Sequence, residues 1–148
     1  MNKGFSGNME FLSGNGWVKF KDYNGERIAQ YSSFTNDIDF VEPFSFSVFN
    51  QSRFVRIASE NFEQVLTITQ PIPVVGYGVQ KITAVDMINQ NGTDCWEFIT
   101  GNVGGFRFGP EWIDFTIEES DDLSSYLFSV PSGLIPVRFN GKISVATA

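Results

Sequence analysis

The stretch that decides the fold is WEFITGNVGGFRFGPEWIDFTIE, residues 96–118. Its apolar side chains recur at every second position, and polar or charged residues fill most of the gaps between them. Successive side chains of a strand point to opposite faces, so this alternation predicts three strands that share one buried face. Glycine-rich turns separate the three strands. The inward residues are Trp96, Phe98, Phe106, Phe108, Ile113, Phe115 and Ile117.

Working outward, the dipeptide Asn24-Gly25 lies between two further alternating segments. A type I′ turn needs a positive φ at both central residues, and Asn and Gly tolerate it best. We therefore expect a two-residue β-hairpin over residues 17–32. Its parity places Trp17 and Ile28 on the polar face of the hairpin. An indole on a polar face requires a cover, supplied either by another segment of the chain or by a partner.

A second hairpin is predicted around Asn140-Gly141. A two-residue loop there would pair Val137 with Ser144 and would not use the apolar alternation of the two segments. A three-residue loop ending at Gly141 pairs Val137 with Ile143 instead. The pattern therefore favours the bulged hairpin.

Many short alternating segments, divided by turn signals, predict an all-β protein. We expect a single antiparallel β-sandwich, of jelly-roll or immunoglobulin-like type, with at most short helical turns at residues 59–64 and 120–127. Residues 79–88 are predicted as a strand, and the two prolines of residues 71–74 indicate a sheet edge. The predicted core consists of Phe20, Phe46, Phe98, Phe106, Phe108, Phe115 and Val137.

The length of 148 residues indicates one domain. Residues 16–148 are predicted as the β-sandwich domain, and residues 1–15, rich in Gly, Asn and Ser, as an N-terminal arm or loop. Phe5 and Phe11 are the bulky aromatic side chains of that arm. Together with Trp17 and Trp112 they are the predicted partner-binding residues, because aromatic side chains are enriched where partners dock.

The residue types present exclude most catalytic and metal chemistry. The sequence contains no histidine and a single cysteine, Cys95. The lack of histidine therefore excludes serine–histidine and cysteine–histidine nucleophiles and nearly all transition-metal sites. The acidic run at residues 118–122 is interpreted as a solvated loop rather than a cation site. We expect a protein that is not an enzyme, with no catalytic residue, no cofactor and no metal.

Charge and hydropathy argue against two classes of partner, nucleic acids and membranes. The formal net charge is −7 and no basic stripe is present, which argues against a nucleic-acid ligand. No run approaches the ~20 apolar residues that cross a bilayer, so no membrane partner is expected. The N-terminal stretch also lacks the apolar segment of a secretory signal. We therefore expect a soluble protein that is made in a host cytoplasm.

In composition and turn pattern the sequence resembles small virion proteins of tailed bacteriophages, such as head decoration (cement) proteins and tail or baseplate components. The features are the absence of histidine, the acidic balance, four Asn-Gly turns, and the Ser/Phe alternation FSFSVF at residues 44–49. The resemblance implies a non-enzymatic structural protein of a phage particle, with head decoration favoured over a tail or baseplate position. It implies binding to capsid, tail or baseplate subunits, a homo-oligomer, and a final location in the virion.

One alternative function is a carbohydrate-binding module. In that case exposed aromatic side chains such as Trp17 and Trp112 would stack on sugar rings. A sugar platform needs coplanar aromatic side chains in one sheet, and these two residues lie far apart in the sequence.

Overall fold

The computed structural model describes residues 2–76, 78–89, 95–102, 105–118 and 123–148. A single turn of 3-10 helix covers Phe20–Asp22, and one short α-helix, α1, covers Ala84–Asn89. The strands are β1 (Phe5–Ser6), β2 (Glu10–Ser13), β3 (Gly16–Lys19), β4 (Ile28–Ser32), β5 (Asp37–Val41), β6 (Ser45–Phe49), β7 (Phe54–Ala58), β8 (Glu63–Thr67), β9 (Pro71–Gly76), β10 (Gly78–Thr83), β11 (Cys95–Asn102), β12 (Gly105–Trp112), β13 (Asp114–Glu118), β14 (Ser125–Ser129), β15 (Leu134–Phe139) and β16 (Lys142–Thr147).

The strands form two large antiparallel sheets and one hairpin. The six-stranded sheet has the order β13-β7-β8-β1-β14-β6. The eight-stranded sheet has the order β12-β11-β16-β15-β2-β4-β5, with β3 also paired to β2, and β9 pairs with β10. The prediction of an all-β protein with antiparallel sheets is confirmed. Within the described ranges no helix is long and apolar enough to cross a membrane.

A cluster of aromatic rings fills the space between the two sheets. The Phe11 ring lies 5.0 Å from the Phe128 ring, centroid to centroid, in an edge-to-face arrangement. Phe20 lies 5.5 Å from both Phe5 and Phe128. Fully buried rings of this kind stabilise a fold through apolar burial and through their mutual geometry. The core therefore depends on residues from the first and the last thirds of the chain.

The opposite face of the eight-stranded sheet carries a second, smaller apolar cluster. Neighbouring residues of one strand divide between the two clusters: Ala146 packs in the first and Val145 in the second. Side chains of a strand alternate between faces, so both faces of β16 carry buried side chains. The second cluster contains Tyr31, Ile99, Phe106, Leu134 and Val145.

The predicted core is correct in most positions. Phe20, Phe98, Phe106 and Val137 are buried. Phe46 and Phe115 are only partly buried, although both pack against the main cluster, and the side chain of Phe108 lies outside the described part of the structure. The prediction that Ile117 points inward is wrong, since it is 83% exposed.

The first fifteen residues, predicted as an arm, contain two strands. β1 lies between β8 and β14, and β2 pairs with β3, β4 and β15. β1 is only two residues long, which is too short to show a periodic pattern. The strand exists because both of its neighbours offer hydrogen-bonding groups, and that pairing is a tertiary effect.

The hairpin predicted around Asn24-Gly25 does not form. The 3-10 turn follows directly after β3, and β3 pairs with β2 instead of β4. Ile28 is fully buried, whereas the predicted parity placed it on a polar face. Gly25 does adopt a positive φ of 83°, so the dipeptide correctly marked a turn but not its strand partners.

The C-terminal hairpin has the two-residue loop that the sequence argument rejected. Val137 pairs with Ser144, and Asn140 and Gly141 have φ values of 50° and 76°. The rejected register is acceptable because β16 is buried on both faces. Buried Ser144 is satisfied there, since its Oγ accepts a hydrogen bond from Gln64 Nε2 at 2.9 Å.

The helix was also missed. Residues 84–88, the second half of the predicted strand, lie in α1 instead, and Thr83 Oγ1 accepts the backbone N–H of Asp86 at 3.3 Å as an N-cap. The helical turn predicted at residues 59–64 is a capped bend instead, in which Ser59 Oγ accepts the N–H of Phe62 at 3.2 Å. For the turn predicted at residues 120–127, β14 begins at Ser125, and residues 120–122 lie outside the described ranges.

The ring cluster generates the first prediction. Replacing Phe11 by Ala should cost roughly 3–5 kcal/mol of unfolding free energy, because it removes a buried ring and leaves a cavity. Urea denaturation monitored by tryptophan fluorescence measures this change. Phe34→Ala is the matched control, since Phe34 is fully exposed and its loss should stay within about 0.5 kcal/mol. Equal effects of the two variants would contradict the assignment of the core.

Candidate functional site

The two ends of the chain meet at one side chain, Gln70, in the turn between β8 and β9. Gln70 Oε1 accepts the backbone N–H of Gly4 at 2.9 Å, and Gln70 Nε2 donates to the carbonyl oxygen of Thr147 at 3.2 Å. Gln70 is only 1% exposed. We call Gln70, with the peptide groups of Gly4 and Thr147 that it binds, the clasp.

Local structure fixes the position of Gln70. Its own N–H donates to the carbonyl oxygen of Thr67 at 3.0 Å and closes the turn after β8. Pro71 follows, where the ring restricts the backbone and begins β9. The side chain is thereby held between the two chain ends, with its acceptor toward one and its donor toward the other.

The peptide bond between Lys3 and Gly4 is held on both sides. Its N–H is bound by Gln70, and its carbonyl oxygen accepts a hydrogen bond from Ser125 Oγ at 2.8 Å. Ser52 Oγ lies 2.7 Å from Ser125 Oγ. If the single proton of Ser125 goes to Lys3, the Ser52 hydroxyl is the donor in this shorter contact, and its other acceptor, the carbonyl oxygen of Phe49, lies 3.4 Å away. This serine relay polarises the carbonyl group of Lys3.

The residues on either side of this bond are held as well. The carbonyl oxygen of Gly4 accepts the N–H of Thr67 at 3.0 Å, and Thr69 Oγ1 donates to the carbonyl oxygen of Asn2 at 3.0 Å. Asn2 Nδ2 donates to the carbonyl oxygen of Asn50 at 2.6 Å and to Ser52 Oγ at 3.1 Å. The backbone from Asn2 to Gly4 is therefore fixed by side chains and backbone groups of the six-stranded sheet and its loops.

Gly4 has a conformation that suits only glycine. Its φ is +113°, in the region that L residues with a side chain rarely adopt. A Cβ atom at this position would lie 2.6 Å from the carbonyl oxygen of Tyr126, a backbone atom that cannot move aside. Position 4 therefore carries no side chain that could act as a nucleophile on the bond that precedes it.

The C-terminal side of the clasp is held in a similar way. The N–H of Ala148 donates to the carbonyl oxygen of Gly133 at 2.9 Å. The peptide bond between Thr147 and Ala148 is thus bound at its oxygen by Gln70 and at its nitrogen by Gly133. Two hydroxyl groups beside the clasp, Thr67 Oγ1 and Thr147 Oγ1, are buried and have no hydrogen-bond partner within the described residues.

The described residues of the clasp hold a peptide bond on both sides. Cleavage requires a nucleophile at the carbonyl carbon and an acid that protonates the leaving nitrogen. Ser125 supplies a hydrogen bond to the carbonyl oxygen, of the kind that stabilises an oxyanion. Gln70 accepts the N–H through a neutral amide oxygen, and an amide does not exchange protons as an acid or a base near neutral pH. No histidine exists in the chain to replace it.

The structure buries the two predicted partner-binding residues of the N-terminal arm. Phe5, next to Gly4, and Phe11 are 0% and 1% exposed, so their side chains have no surface to offer a second chain. Trp17 is half-buried, and the Arg138 guanidinium lies 5.0 Å from its ring centroid. The cover expected for this indole thus comes partly from the chain itself. Trp112 ends β12, and its side chain lies outside the described part of the structure.

Nothing in the described ranges holds a metal ion. No group of three or more potential ligands among His, Cys, Asp and Glu comes together there. Of the acidic run at residues 118–122, Glu118 lies in β13 and the other four residues fall outside the described ranges.

Sequence reasoning missed every residue of the clasp. Gln70 and Thr147 are ordinary polar residues near strand ends. Gln70 lies 66 residues from Gly4 and 77 residues from Thr147, and no spacing rule relates positions so far apart. Gly4 falls within residues 1–15, which were predicted as an N-terminal arm or loop. The one local signal was Pro71, which indicated an edge strand beginning after Gln70.

Comparison with solved structures identifies the fold. A splice-inactive variant of the AceL NrdHF class 3 split intein superposes with a TM-score of 0.82 over 99% of both chains at 14% identity. The PabCDC21-1 intein gives a TM-score of 0.74 at 16% identity, covering 100% of each chain. A bacterial intein-like domain from Clostridium thermocellum gives 0.72 at 12% identity, covering 100% of this chain and 99% of that one. The chain has the intein fold.

No match at the sequence level accompanies this likeness. The sequence matches no protein-family model and no curated protein. The likeness, with identities of 12–16% in these three comparisons, is one of fold alone.

The intein fold contradicts the functional predictions that were made from composition and turn pattern. The expected virion protein, with head decoration favoured over tail or baseplate, is wrong, and so are the carbohydrate-binding alternative and the virion location, because the similar structures are inteins. Jelly-roll and immunoglobulin-like sandwiches are likewise not what the sheets resemble. Asn-Gly turns and Ser/Phe alternation report a β-rich chain, and they carry no information about which β fold it adopts.

The conformation of Gly4 generates the second prediction. Gly4→Ala should destabilise the protein by roughly 2–4 kcal/mol, since it combines a positive φ with a backbone clash. Two controls separate these causes in urea denaturation. Gly25→Ala has a positive φ but open space and should cost roughly 1–2 kcal/mol. Gly14→Ala has neither and should be near neutral. A Gly4→Ala variant no less stable than Gly25→Ala would contradict the tight contact with Tyr126.

Proposed function

We propose that this intein-fold domain fastens polypeptide segments attached to its two ends side by side and does not break or join their peptide bonds. The observation that carries the proposal is the double hydrogen bond of Gln70 to Gly4 on one end and to Thr147 on the other. Because one buried side chain binds both ends, both hydrogen bonds must break before the ends can separate.

The strand order supports the holding role. β1 lies between β8 and β14, and β16 lies between β11 and β15, so both chain ends emerge from interior strands. Neither end can move away without opening a sheet. Segments joined to residues 1 and 148 would start from fixed, neighbouring points, which raises their effective concentration for each other.

The residues at the clasp support the absence of bond-breaking chemistry. Position 4 is a glycine, position 70 a glutamine and position 148 an alanine, none of which is a nucleophile or a titrating acid. One similar structure is described as a splice-inactive variant in which a cysteine and an asparagine are replaced by alanine. The single cysteine of this chain, Cys95, begins β11, where it pairs with Trp112.

The clasp generates the third prediction. Gln70→Ala should leave the N–H of Gly4 and the carbonyl of Thr147 without their partner, each at a cost of roughly 1–3 kcal/mol. Hydrogen exchange at the Gly4 amide should accelerate at least about tenfold. Gln30→Ala is the matched control, because its side-chain bonds to Asp39 and Ser132 lie at the surface, and Gly4 exchange should not change. Unaltered Gly4 exchange in Gln70→Ala would refute the clasp.

The holding role generates the fourth prediction. With a donor fluorophore domain joined before Met1 and an acceptor after Ala148, energy transfer should be high and should fall in Gln70→Ala. The transfer should be constant between about pH 5 and 9, because hydroxyl, amide and peptide groups do not titrate in that range.

The same fusion tests the chemical part of the proposal. It should remain one intact polypeptide on a denaturing gel after prolonged incubation, with and without added thiol. Release of the upstream domain at the bond between Lys3 and Gly4, or a product that contains both fluorophore domains without the 148-residue chain, would overturn the proposed non-catalytic role.

A further inference from the structure

The two large sheets end in four strands, and one of these edges differs chemically from the others. The end strands are β5 and β12 of the eight-stranded sheet and β6 and β13 of the six-stranded sheet. β6 pairs with β14 on one side, and no strand of the described ranges pairs with its other side. The backbone N–H and C=O groups on that side of β6 can therefore pair with a further strand.

β6 lacks the features that protect most sheet edges. Charged side chains and proline keep an exposed edge from pairing with a second chain. β5 contains two aspartates, β13 contains an aspartate and a glutamate, and β12 contains Pro110 together with charged residues. β6, with the sequence SFSVF, contains neither a charged residue nor a proline. Its composition therefore leaves this edge open to pairing.

Exposed apolar side chains accompany the open edge. Phe44, directly before β6, is 73% exposed, and Val48 within β6 is 50% exposed. Phe46 lies between them and packs against the ring cluster, 4.8 Å from Phe128, centroid to centroid. Alternate residues of a strand share one side, so these three side chains form one row. The row is anchored in the core at its middle and reaches solvent on either side of Phe46.

This row is complementary to a second copy of itself. Two β6 strands can pair antiparallel about a two-fold axis that passes through Phe46. Phe44 of one copy then lies opposite Val48 of the other, and Ser45 lies opposite Ser47. Each exposed apolar side chain meets another one, and no charged residue of the segment faces a like charge.

Two of the other end strands oppose their own copies. The same arrangement would set Asp114 opposite Glu118 in β13, and in β5 it would set Asp39 opposite the same residue of the second copy. Like charges directly opposite each other destabilise a strand pair. Pairing through β6 joins two six-stranded sheets into one that ends in β13 on both sides. The assembly therefore closes at two copies instead of growing into a fibre.

We propose that β6 is an interaction surface for a second copy of this chain, and that two β6 strands pair antiparallel about Phe46 to form a dimer. The shared edge is short, so the interface is a small one and the dimer forms in a concentration-dependent way. The pairing involves neither Gln70 nor the peptide groups that it binds. The dimer is therefore independent of the proposed holding role.

Sedimentation velocity of the full chain tests the dimer. The protein should pass from monomer to dimer between about 5 and 500 µM. Added salt should strengthen the association, because each copy carries a net charge of −7 that salt screens. A chain that stays monomeric over the whole concentration range would overturn the proposal.

Substitutions in the apolar row test whether β6 is the interface. Phe44→Lys and Val48→Glu should each weaken the association at least about tenfold, because each removes one side of an apolar contact. Ile117→Lys is the matched control, since Ile117 is an exposed apolar residue of β13, at the other end of the same sheet, and the association should not change. A dimer that both β6 variants leave unaffected would overturn the proposal.

A mixture of the two variants tests the register. Combined in equal amounts, the Phe44→Lys and Val48→Glu chains should regain the association as a heterodimer, because the introduced lysine and glutamate lie opposite each other. The second contact of that heterodimer keeps the original Val48 and Phe44. A mixture that associates no more strongly than either variant alone would overturn the pairing about Phe46.

Hydrogen exchange separates strand pairing from any other dimer contact. The N–H groups of β6 that do not bond to β14 should exchange at least about tenfold more slowly in the concentrated dimer than in the dilute monomer. Exchange at the Gly4 amide of the clasp should not depend on concentration. A dimer in which the β6 amides show no slowing would overturn the proposal, whatever the state of the clasp.

Discussion

Both ends of the chain lie inside sheets, and the rest of the structure depends on this constraint. β1 completes the six-stranded sheet between β8 and β14, and β16 completes the eight-stranded sheet between β11 and β15. Interior strands satisfy their backbone groups on two sides. The neighbours of each therefore depend on a terminal strand for their own pairing, and neither sheet closes until an end of the chain has been placed.

One short segment ties the two sheets together through polar side chains. Gln64, in β8 of the six-stranded sheet, donates to Ser144 and to the carbonyl oxygen of Val145 in β16. The side chain of Glu63 is only 2% exposed. Its carboxylate accepts hydrogen bonds from Arg56 in its own sheet and from Asn140 and Lys142 in the C-terminal hairpin of the other sheet. The Glu63 carboxylate and the Gln64 amide nitrogen therefore have the partners that burial requires, whereas Gln64 Oε1 has none within the described residues. Gln70 lies in the turn after β8, and its hydrogen bond to Thr147 of β16 is a further contact between the two sheets.

The chemistry of the clasp depends on which residue types surround the peptide bond between Lys3 and Gly4. A carbonyl group polarised by a serine relay is a common first element of peptide-bond chemistry. Here a neutral amide faces the nitrogen, and glycine occupies the position that follows the bond. The described residues therefore place two peptide groups next to one neutral side chain, Gln70.

Period-two alternation and turn residues determined the all-β class and the burial of Phe98 and Val137, because these properties depend on neighbours within a few positions. They did not show that β12 continues through Gly109 and Pro110 or that β13 joins the other sheet. Tertiary structure decided which strands pair, whether a face meets water, and which family of β folds results. The two-residue strand at Phe5 and the register at Ser144 exist only because distant segments supply their partners. Gln70 likewise acquires its role from Gly4 and Thr147, positions that no local pattern in the sequence connects.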